Sequence, residues 1–330
     1  MIKGAILGLG FIGKVHYKAF KNSEIADGPL RLEACFDINE ENFEGIDCNR
    51  KYTDLDEFFE KEKDRIDFVD ICLPTFMHKD ISQKAMEHGF HVLCEKPMAL
   101  KLEDCNDMID SCAKYNKKLM IAQVLRFDGE FNVIKDYIDN NTLGNVKNVH
   151  YTTYRTGLPD GEANWFKKKE LSGGTIFDVH VHDTDLILYY FGMPQKLVSV
   201  ANTDTRGLGI ESFSTNLYYG KDFFVNFHCD MALAHSGHYK DRTLRINFEK
   251  GYIIKDEYKF IAVDENGNET DLSLGHDENL MYQNEIEYFA KAIQSNGDLS
   301  RCNPEQSANA IKIVISEIHS SENCGEMIYF

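Results

Sequence analysis

The stretch Gly8-Leu9-Gly10-Phe11-Ile12-Gly13 follows an apolar run, Ile2–Leu7, and precedes apolar residues at helical spacing. It has the Gly-x-Gly-x-x-Gly pattern in the strand–turn–helix context in which this pattern binds dinucleotides. Gly8 permits the tight turn, Gly10 lets the backbone approach a pyrophosphate, and Gly13 lets the helix pack closely on the strand. We therefore expect Gly8, Gly10, Phe11, Ile12 and Gly13 to bind a dinucleotide cofactor. The alternative is a glycine-rich turn that binds no ligand.

An acidic residue, Asp37, comes directly after the second predicted strand, Leu30–Phe36. A carboxylate at this place can accept hydrogen bonds from the ribose hydroxyls of NAD, and it repels the 2′-phosphate of NADP. The pattern therefore favours NAD, with NADP as the less favoured cofactor. The alternative is a surface carboxylate that caps a turn with Asn39.

Short apolar runs alternate with helical patterns up to about residue 124, which predicts right-handed crossovers and a parallel sheet. Beyond that point, consecutive alternating runs with short turns predict an antiparallel or mixed sheet, and two amphipathic helices close the chain. We expect residues 1–124 to form a dinucleotide-binding Rossmann domain and residues 125–330 a substrate-binding and oligomerisation domain. The predicted strands of the first domain are residues 2–7, 30–36, 66–73, 90–94 and 119–124.

The strands of the second domain carry more apolar residues than one layer of helices is expected to cover. An exposed apolar sheet face is normally buried against a second copy of the chain. The pattern therefore predicts a homodimer or homotetramer that forms through the C-terminal sheet. The apolar residues in question are Phe213, Leu217, Tyr219, Phe223, Val225 and Phe227.

The chain has 330 residues and a formal net charge of −18. A surface this acidic repels nucleic-acid phosphates and anionic membranes, although lysines 167–169 form a local basic patch. No segment has the roughly 18 apolar residues of a membrane span, and the start of the chain leaves no room for a signal peptide. The nine cysteines include no Cys-x-x-Cys pair, which is typical of a reducing compartment. We expect a cytoplasmic protein with a small-molecule substrate and neither a nucleic-acid nor a membrane partner.

Four motifs of this sequence resemble those of the glucose–fructose oxidoreductase and inositol dehydrogenase family of NAD(P)-dependent oxidoreductases. The resemblance covers essentially the whole chain. It implies an α/β Rossmann domain followed by an α+β C-terminal domain with a large, mostly antiparallel open sheet. The motifs, in order, are the glycine loop with His16 three residues after it, Pro74 with His78, Glu95-Lys96-Pro97, and Gly173-Gly174-Thr175-Ile176-Phe177-Asp178-Val179-His180-Val181-His182.

The resemblance also implies which residues form the site. Lys96, Asp178 and His182 are expected to line the substrate site beside the nicotinamide. Asp178 and His182 belong to an Asp-x-x-x-His motif whose middle position is commonly a small residue, whereas this sequence has His180. The residues added to the cofactor site by the matching motifs are Pro74, His78, Glu95 and Lys96.

Oxidation of a secondary alcohol needs a base for the hydroxyl proton while hydride leaves the same carbon. His182 is our candidate base, because histidine titrates near neutrality. Lys96 can stabilise the negative charge that develops on the oxygen, and Asp178 can bind a neighbouring hydroxyl and orient His182. The alternatives are a helix-capping role for His182 or Asp178 and a solvated ion pair of Lys96 with Glu95.

Asp178, His180 and His182 also alternate like metal ligands on one face of a strand. If a helix begins near Val179 instead, only Asp178 and His182 share a face, and two ligands do not make a site. We therefore expect no metal. Trp165 and Arg126 can each line the pocket or belong to a core, and the sequence does not decide between these roles.

These residues favour an NAD(P)-dependent dehydrogenase or reductase that acts on a secondary alcohol of a sugar, cyclitol or related polyol. One alternative is an NAD-dependent glycoside hydrolase that acts by transient oxidation, as some members of the resembled family do. The other is a nucleotide-sensing protein that has lost catalysis. The joint presence of Lys96, Asp178 and His182 argues against the last alternative.

Overall fold

A computed structural model describes residues 1–155, 165–166, 168–203, 210–231, 240–273 and 278–330, and the statements below refer to these residues. Lys167 of the basic patch lies outside them. The helices are α1 (Phe11–Ile25), α2 (Leu55–Glu62), α3 (His78–Glu87), α4 (Leu102–Tyr115), α5 (Gly129–Asp139), α6 (Lys169–Ser172), α7 (Val181–Phe191), α8 (Glu278–Gln294) and α9 (Pro304–Glu322).

The five predicted strands of the first domain are present with bounds that differ by a few residues, and a sixth strand, residues 50–52, was not predicted. The described strands are β1 (Ile2–Leu7), β2 (Leu30–Phe36), β3 (Arg50–Tyr52), β4 (Phe68–Ile71), β5 (His91–Glu95), β6 (Leu119–Ala122), β7 (Val146–Arg155), β8 (Lys196–Thr203), β9 (Ile210–Tyr218), β10 (Phe224–Asp230), β11 (Lys240–Phe248), β12 (Gly251–Lys255), β13 (Phe260–Asp264), β14 (Glu269–Asp271) and β15 (Ile328–Tyr329).

The first six strands form a parallel sheet in the order β3-β2-β1-β4-β5-β6. The order reverses at β1, which pairs with β2 on one side and β4 on the other. Dinucleotides bind at such a reversal, outside the carboxyl ends of the strands. The glycine turn, Asp37 and Pro74 follow β1, β2 and β4 and so lie along this edge. The predicted Rossmann architecture is confirmed.

The described residues divide into two compact units, Met1–Asp128 with Asp277–Ile311, and Gly129–His276 with Lys312–Phe330. The sequence-based division had placed every residue after 124 in the second domain. Helix α8 instead packs into the apolar core of the first unit, where its Ile286, Phe289 and Ala290 are fully buried. An amphipathic pattern shows that a helix covers a core but does not identify which of two sheets it covers.

The second sheet has nine strands in the order β14-β13-β12-β11-β7-β10-β9-β8-β15. Among the described strands of this sheet, only β7 and β10 pair in parallel, so the predicted mostly antiparallel sheet is confirmed. Two helices cover its inner face. The Tyr151 hydroxyl of β7 donates to Asp183 of α7, and the Ser199 N–H of β8 donates to the Ser320 hydroxyl of α9.

The apolar side chains from which we predicted an oligomer lie mostly on this covered face. Phe213, Leu217, Val225 and Phe227 are between 0% and 2% exposed in the single chain. They cannot supply an exposed apolar surface, because alternate residues of a strand face opposite sides and theirs is the side that α7 and α9 cover. These four side chains therefore do not support the predicted homodimer or homotetramer, which stays a prediction.

Two further sequence features can be compared with the structure. All nine cysteines lie in the described residues, and none of them forms a disulfide. None of the described helices is both long enough and apolar enough to cross a bilayer.

We expect Phe289→Ala to lower the free energy of unfolding by about 3–5 kcal/mol, the usual loss for a buried phenylalanine. Phe289 is fully buried and meets the Phe68 ring edge to face at 5.5 Å. Leu280→Ala in the same helix is the matched control, because Leu280 is 51% exposed. Urea unfolding of both variants measures the two losses, and similar small losses would contradict the placement of α8 in this core.

Candidate active site

Three glycines shape the turn after β1, and they meet different steric demands. Gly8 has a φ of +98°, and a Cβ on it would lie 2.7 Å from the carbonyl oxygen of Cys72. A Cβ on Gly13 would lie 1.9 Å from the Gly8 carbonyl oxygen, so no side chain fits there. A Cβ on Gly10 would meet no described atom within 4 Å. The outer glycines therefore pack the turn, while Gly10 borders open space that a phosphate can approach.

Helix α1 begins in this turn with Gly10 as its N-cap. Among the described residues, no side chain caps this end by a hydrogen bond, and the first turn holds no acidic residue. Phe11 is 88% exposed beside it, whereas Ile12 packs partly against the apolar core. The first N–H groups of the helix and its positive dipole end can therefore bind an anion. These residues fit the pyrophosphate of a dinucleotide.

Asp37 is buried at the end of β2 and braces the glycine turn. Its Oδ2 accepts the Leu9 N–H at 2.7 Å, and its Oδ1 accepts the Asn39 N–H at 2.8 Å. The turn with Asn39 that we considered as an alternative does form, but the carboxylate is only 7% exposed. Ile38, the next residue, is 82% exposed at the same edge. The carboxylate thus lies against the loop that is expected to hold the phosphates.

His78 lies at the start of α3, just after the loop that Pro74 begins. Its Nδ1 is 2.9 Å from the carbonyl oxygen of Pro97, and its Nε2 is 2.9 Å from that of Leu73. The residue is 1% exposed. Burial lowers the pKa of His78, so the ring is neutral and carries one N–H, which it donates to one of these two carbonyl oxygens. The ring lies between the loops that follow β4 and β5.

Glu95 and Lys96 stand at the end of β5, and a cis peptide bond joins Lys96 to Pro97. Glu95 is 6% exposed, and its Oε2 accepts the backbone N–H of Lys96 at 3.0 Å. Its other oxygen, Oε1, lies 3.0 Å from Nε2 of His16. The Glu95 carboxylate therefore faces the interior, whereas Lys96 is partly exposed.

His16 links α1 to two strands of the sheet, a role that the sequence pattern did not reveal. Its Nδ1 lies 2.8 Å from Oδ2 of Asp70 in β4, and its Nε2 pairs with Glu95 in β5. Burial opposes a charge on this ring, but the charge of Asp70 and the bond to it outweigh burial and hold the pKa of His16 well above 6.5. His16 is therefore an imidazolium between two buried carboxylates. Asp70, an acidic residue in the middle of the apolar run 66–73, is the signal that could have suggested this role.

His16, Asp70 and Cys72 also have the chemistry of metal ligands, and their ligand atoms lie within 4.8 Å of one another. The Nδ1–Oδ2 distance of 2.8 Å is that of a hydrogen bond. Burial and the charge of Asp70 raise the pKa of the Cys72 thiol, so this sulfur stays protonated, whereas a metal binds the thiolate. The cluster is a hydrogen-bonded network.

Asp178 and His182 belong to the second unit, where they lie on one continuous helical segment. A π-helical turn, Ile176–His180, leads directly into α7. Thr175 is the N-cap of that turn, so Asp178 is inside the segment and does not cap it. Both side chains are half-buried among fully buried neighbours. Such π-helical turns occur often at functional sites.

His180 points away from Asp178 and His182. It is fully buried, with Nε2 2.9 Å from Oε2 of Glu317 in α9. Its ring meets those of Phe213 and Phe227 edge to face at 4.3 and 5.0 Å. The three residues that alternate in sequence therefore do not share a face, because the segment is helical. The unusual middle residue of the motif is accommodated by a carboxylate from another helix.

Two family models match the chain. The model described as an oxidoreductase family with an NAD-binding Rossmann fold matches residues 2–123, and the GFO/IDH/MocA C-terminal domain model matches residues 131–254. The chain belongs to the GFO/IDH/MocA oxidoreductase family. This membership confirms the resemblance found in the sequence and the NAD-binding Rossmann fold of the first unit.

Individual relatives are more distant. A 2,7-anhydro-N-acetylneuraminate hydratase of Mediterraneibacter gnavus is 28% identical over 76% of this chain and 66% of its own length. An inositol 2-dehydrogenase of Rhizobium meliloti is 31% identical over 61% of this chain and 58% of its own. The alignments thus span two thirds or less of these proteins. A solved levoglucosan dehydrogenase in complex with NADH shares the fold, with a TM-score of 0.87 at 18% identity over 99% of this chain and 98% of that one.

A buried carboxylate of α7 links this helix of the GFO/IDH/MocA chain to the second sheet. Asp183, 1% exposed, accepts hydrogen bonds from the hydroxyls of Tyr151 at 2.8 Å and Thr153 at 2.9 Å. Arg242 pairs with it at 3.1 Å. Burial raises the pKa of the Tyr151 hydroxyl, so that hydroxyl remains a donor. Asp183 follows His182 directly, and these bonds fix the helix turn that carries His182.

Arg126 and Trp165 differ in their surroundings. Arg126 is 1% exposed and donates to the carbonyl oxygen of Arg301 and to the side chain of Gln306. In return, Arg301 donates to the carbonyl oxygen of Arg126. Arg126 therefore anchors the loop before α9. The Trp165 ring stacks on that of Phe166 with centroids 3.9 Å apart.

The raised pKa of His16 predicts a pH-dependent contribution to stability. The folded protein binds this proton more tightly than the unfolded chain, so the contribution is complete below pH 6.5 and declines as pH rises through the folded-state pKa. We expect His16→Gln to lower the free energy of unfolding by about 3–5 kcal/mol below pH 6.5, the usual effect of removing one partner of a buried ion pair. The groups that face the ring are Asp70, Glu95, Cys72 and Tyr282.

Urea unfolding of the wild-type chain and the variant over a pH series measures this difference. His319→Gln is the control, because His319 is exposed. Its substitution should change the free energy of unfolding by less than about 0.5 kcal/mol at every pH. A difference between wild type and His16→Gln that grows with rising pH would show that the ring is neutral in the folded state.

Proposed function

We propose that this protein is an NAD-dependent dehydrogenase or reductase that transfers hydride between nicotinamide and a secondary alcohol of a sugar, cyclitol or related polyol. The supporting observation is the glycine cradle: Gly10 borders open space at the uncapped N-terminus of α1, with Asp37 bonded to the turn. The family and the names of relatives such as an inositol 2-dehydrogenase support the polyol.

In this proposal the glycine turn binds the pyrophosphate, and Asp37 is placed toward the adenosine ribose. Phe11, Ile38 and Phe76, which are exposed after β1, β2 and β4, offer apolar surface to the adenine. When bound, the cofactor supplies the hydride acceptor of the reaction. The protein supplies binding, orientation and proton transfer.

The three candidate catalytic residues have different roles. His182 removes the proton of the reacting hydroxyl, since a histidine is poised to exchange protons near neutral pH. Lys96 donates to the same oxygen and stabilises its developing negative charge. Asp178 lies four residues before His182 on one helical segment, binds a neighbouring hydroxyl and orients the imidazole.

The proposal is tested by a turnover screen. Sugars, cyclitols and their keto forms are incubated with NAD or NADH, and the absorbance of NADH is followed. We expect turnover with at least one polyol or its ketone. Cofactor binding without turnover of any of these compounds would instead favour a nucleotide-sensing protein.

We expect His182→Ala to lower turnover by roughly 10²- to 10⁴-fold, the usual contribution of a positioned general base. Lys96→Ala should lower turnover by roughly 10²- to 10³-fold, since it removes a hydrogen-bond donor to the oxygen on which negative charge develops. Asp178→Asn should chiefly raise KM. Steady-state kinetics on the polyol found in the screen measures these effects, and fluorescence titration checks that NAD still binds. Near-normal turnover by His182→Ala would mean that another group takes the proton.

We expect NAD(H) to bind better than NADP(H) and Asp37→Asn to reduce this preference by roughly 10- to 100-fold, since it removes the charge that repels the 2′-phosphate. Asparagine keeps an oxygen that can accept the Leu9 N–H. Asp37→Ala is the comparison: it also removes that acceptor and should weaken the binding of both cofactors. Fluorescence titrations give the dissociation constants, and tighter binding of NADP(H) by the wild-type protein would rule out this assignment.

A second candidate function is NAD-dependent cleavage of a glycosidic bond by transient oxidation. It is favoured by the relative named as a hydratase, which is 28% identical over 76% of this chain. In such a reaction the hydride returns to the product, so no NADH accumulates. Release of free sugar from a glycoside with constant absorbance of NADH would identify it.

A further inference from the structure

The residues on either side of Lys96 are each held by a buried histidine. Before it, Oε1 of Glu95 lies 3.0 Å from Nε2 of His16. After it, the carbonyl oxygen of Pro97 lies 2.9 Å from Nδ1 of His78. The two histidines are 0% and 1% exposed, so their rings act inside the fold.

The second ring nitrogen of each histidine lies within 3 Å of an oxygen in β4 or in the residues that follow it. His16 Nδ1 lies 2.8 Å from Oδ2 of Asp70, within β4. His78 Nε2 lies 2.9 Å from the carbonyl oxygen of Leu73, two residues after the strand ends. The two rings therefore lie between β4 and the end of β5 at two points, one on each side of Lys96.

We propose that His16 and His78 are positioning residues for Lys96, which hold the backbone on both sides of this lysine and so direct its ammonium group to the reacting oxygen. The proposal rests on the proposed function, in which Lys96 stabilises the developing charge. A lysine side chain has a flexible four-carbon stem, so the place that its ammonium reaches depends on how firmly its Cα is held. A catalytic group must be held to within about 0.5 Å of its productive position.

The two histidines act by different forces. On one side, the His16 imidazolium attracts the carboxylates of Asp70 and Glu95, which without it are two buried like charges that repel each other. Glu95 Oε2 accepts the backbone N–H of Lys96. A displacement of the Glu95 carboxylate therefore shifts or breaks a hydrogen bond that holds the backbone of Lys96. On the other side, the neutral His78 ring lies between two backbone carbonyls and donates its one N–H to one of them.

The test is a double-mutant cycle with Lys96→Ala. We expect His16→Ala and His78→Ala each to lower kcat by roughly 10- to 100-fold, as small displacements of catalytic groups do. The Kd for NAD is measured separately by fluorescence titration, and kcat is measured at saturating NAD, so that a loss of cofactor binding is not counted as a loss of kcat. In the Lys96→Ala background, the same substitutions should cause no further loss of kcat.

Matched variants separate positioning from folding. His78→Gln and His16→Gln keep N–H donors, and we expect each to recover part of the kcat that the alanine variant loses. If an alanine variant does not fold, its glutamine variant serves in the cycle. His88→Ala is the control, because Nδ1 of His88 also bonds a backbone carbonyl, that of Lys84, at the far end of α3. Its kcat should remain within about twofold of wild type.

The outcomes distinguish this proposal from the function on which it rests. If the histidine substitutions lower kcat as much in the Lys96→Ala background as in the wild type, the histidines do not act through Lys96 and the proposal is overturned. If Lys96→Ala itself retains turnover, the catalytic role of Lys96 fails, and the positioning role fails with it. If the histidine substitutions lower kcat only where Lys96 is present, the result supports both the catalytic role of Lys96 and the positioning role of the histidines.

Discussion

An imidazolium between two buried carboxylates holds together the edge of the first sheet at which the cofactor is expected. His16 reaches Asp70 in β4 and Glu95 in β5 from helix α1, which itself begins at the glycine turn. Burial of the isolated charges would be costly, and each is tolerated because the others are present. One ring therefore links helix α1, whose N-terminus presents its N–H groups, to β4, the neighbour of β1, and to β5, which ends directly before Lys96.

The second unit uses a similar arrangement under its own candidate residues. His180 is paired with Glu317 in α9, and Asp183 is bonded to Tyr151 and Thr153 in β7. These two residues flank His182 in the chain, and both are buried while His182 is half-buried. The polar groups that support the helix therefore lie on its covered side, and the candidate chemistry lies on the other.

The strands, the glycine turn and the acidic residue after β2 could be predicted because each depends on local rules of periodicity and steric fit. Gly13 illustrates this, since a Cβ on it would lie 1.9 Å from the carbonyl oxygen of Gly8, a residue of the same short motif. The oligomer surface could not be predicted in this way. Phe213 and Phe227 alternate correctly for a strand, but alternation does not reveal whether helices cover the apolar side or leave it exposed.

The sequence by itself determined that a glycine turn opens a Rossmann domain, that Asp37 stands at the end of β2, and that a mostly antiparallel sheet follows. These features depend on residues near one another in the chain. Only the tertiary structure decided that α8 joins the first core, that His16 and His78 hold the neighbours of Lys96, and that His180 turns to Glu317. Those contacts join residues far apart in sequence, and a hydrogen bond or an ion pair leaves no periodic pattern by which its distant partner can be recognised.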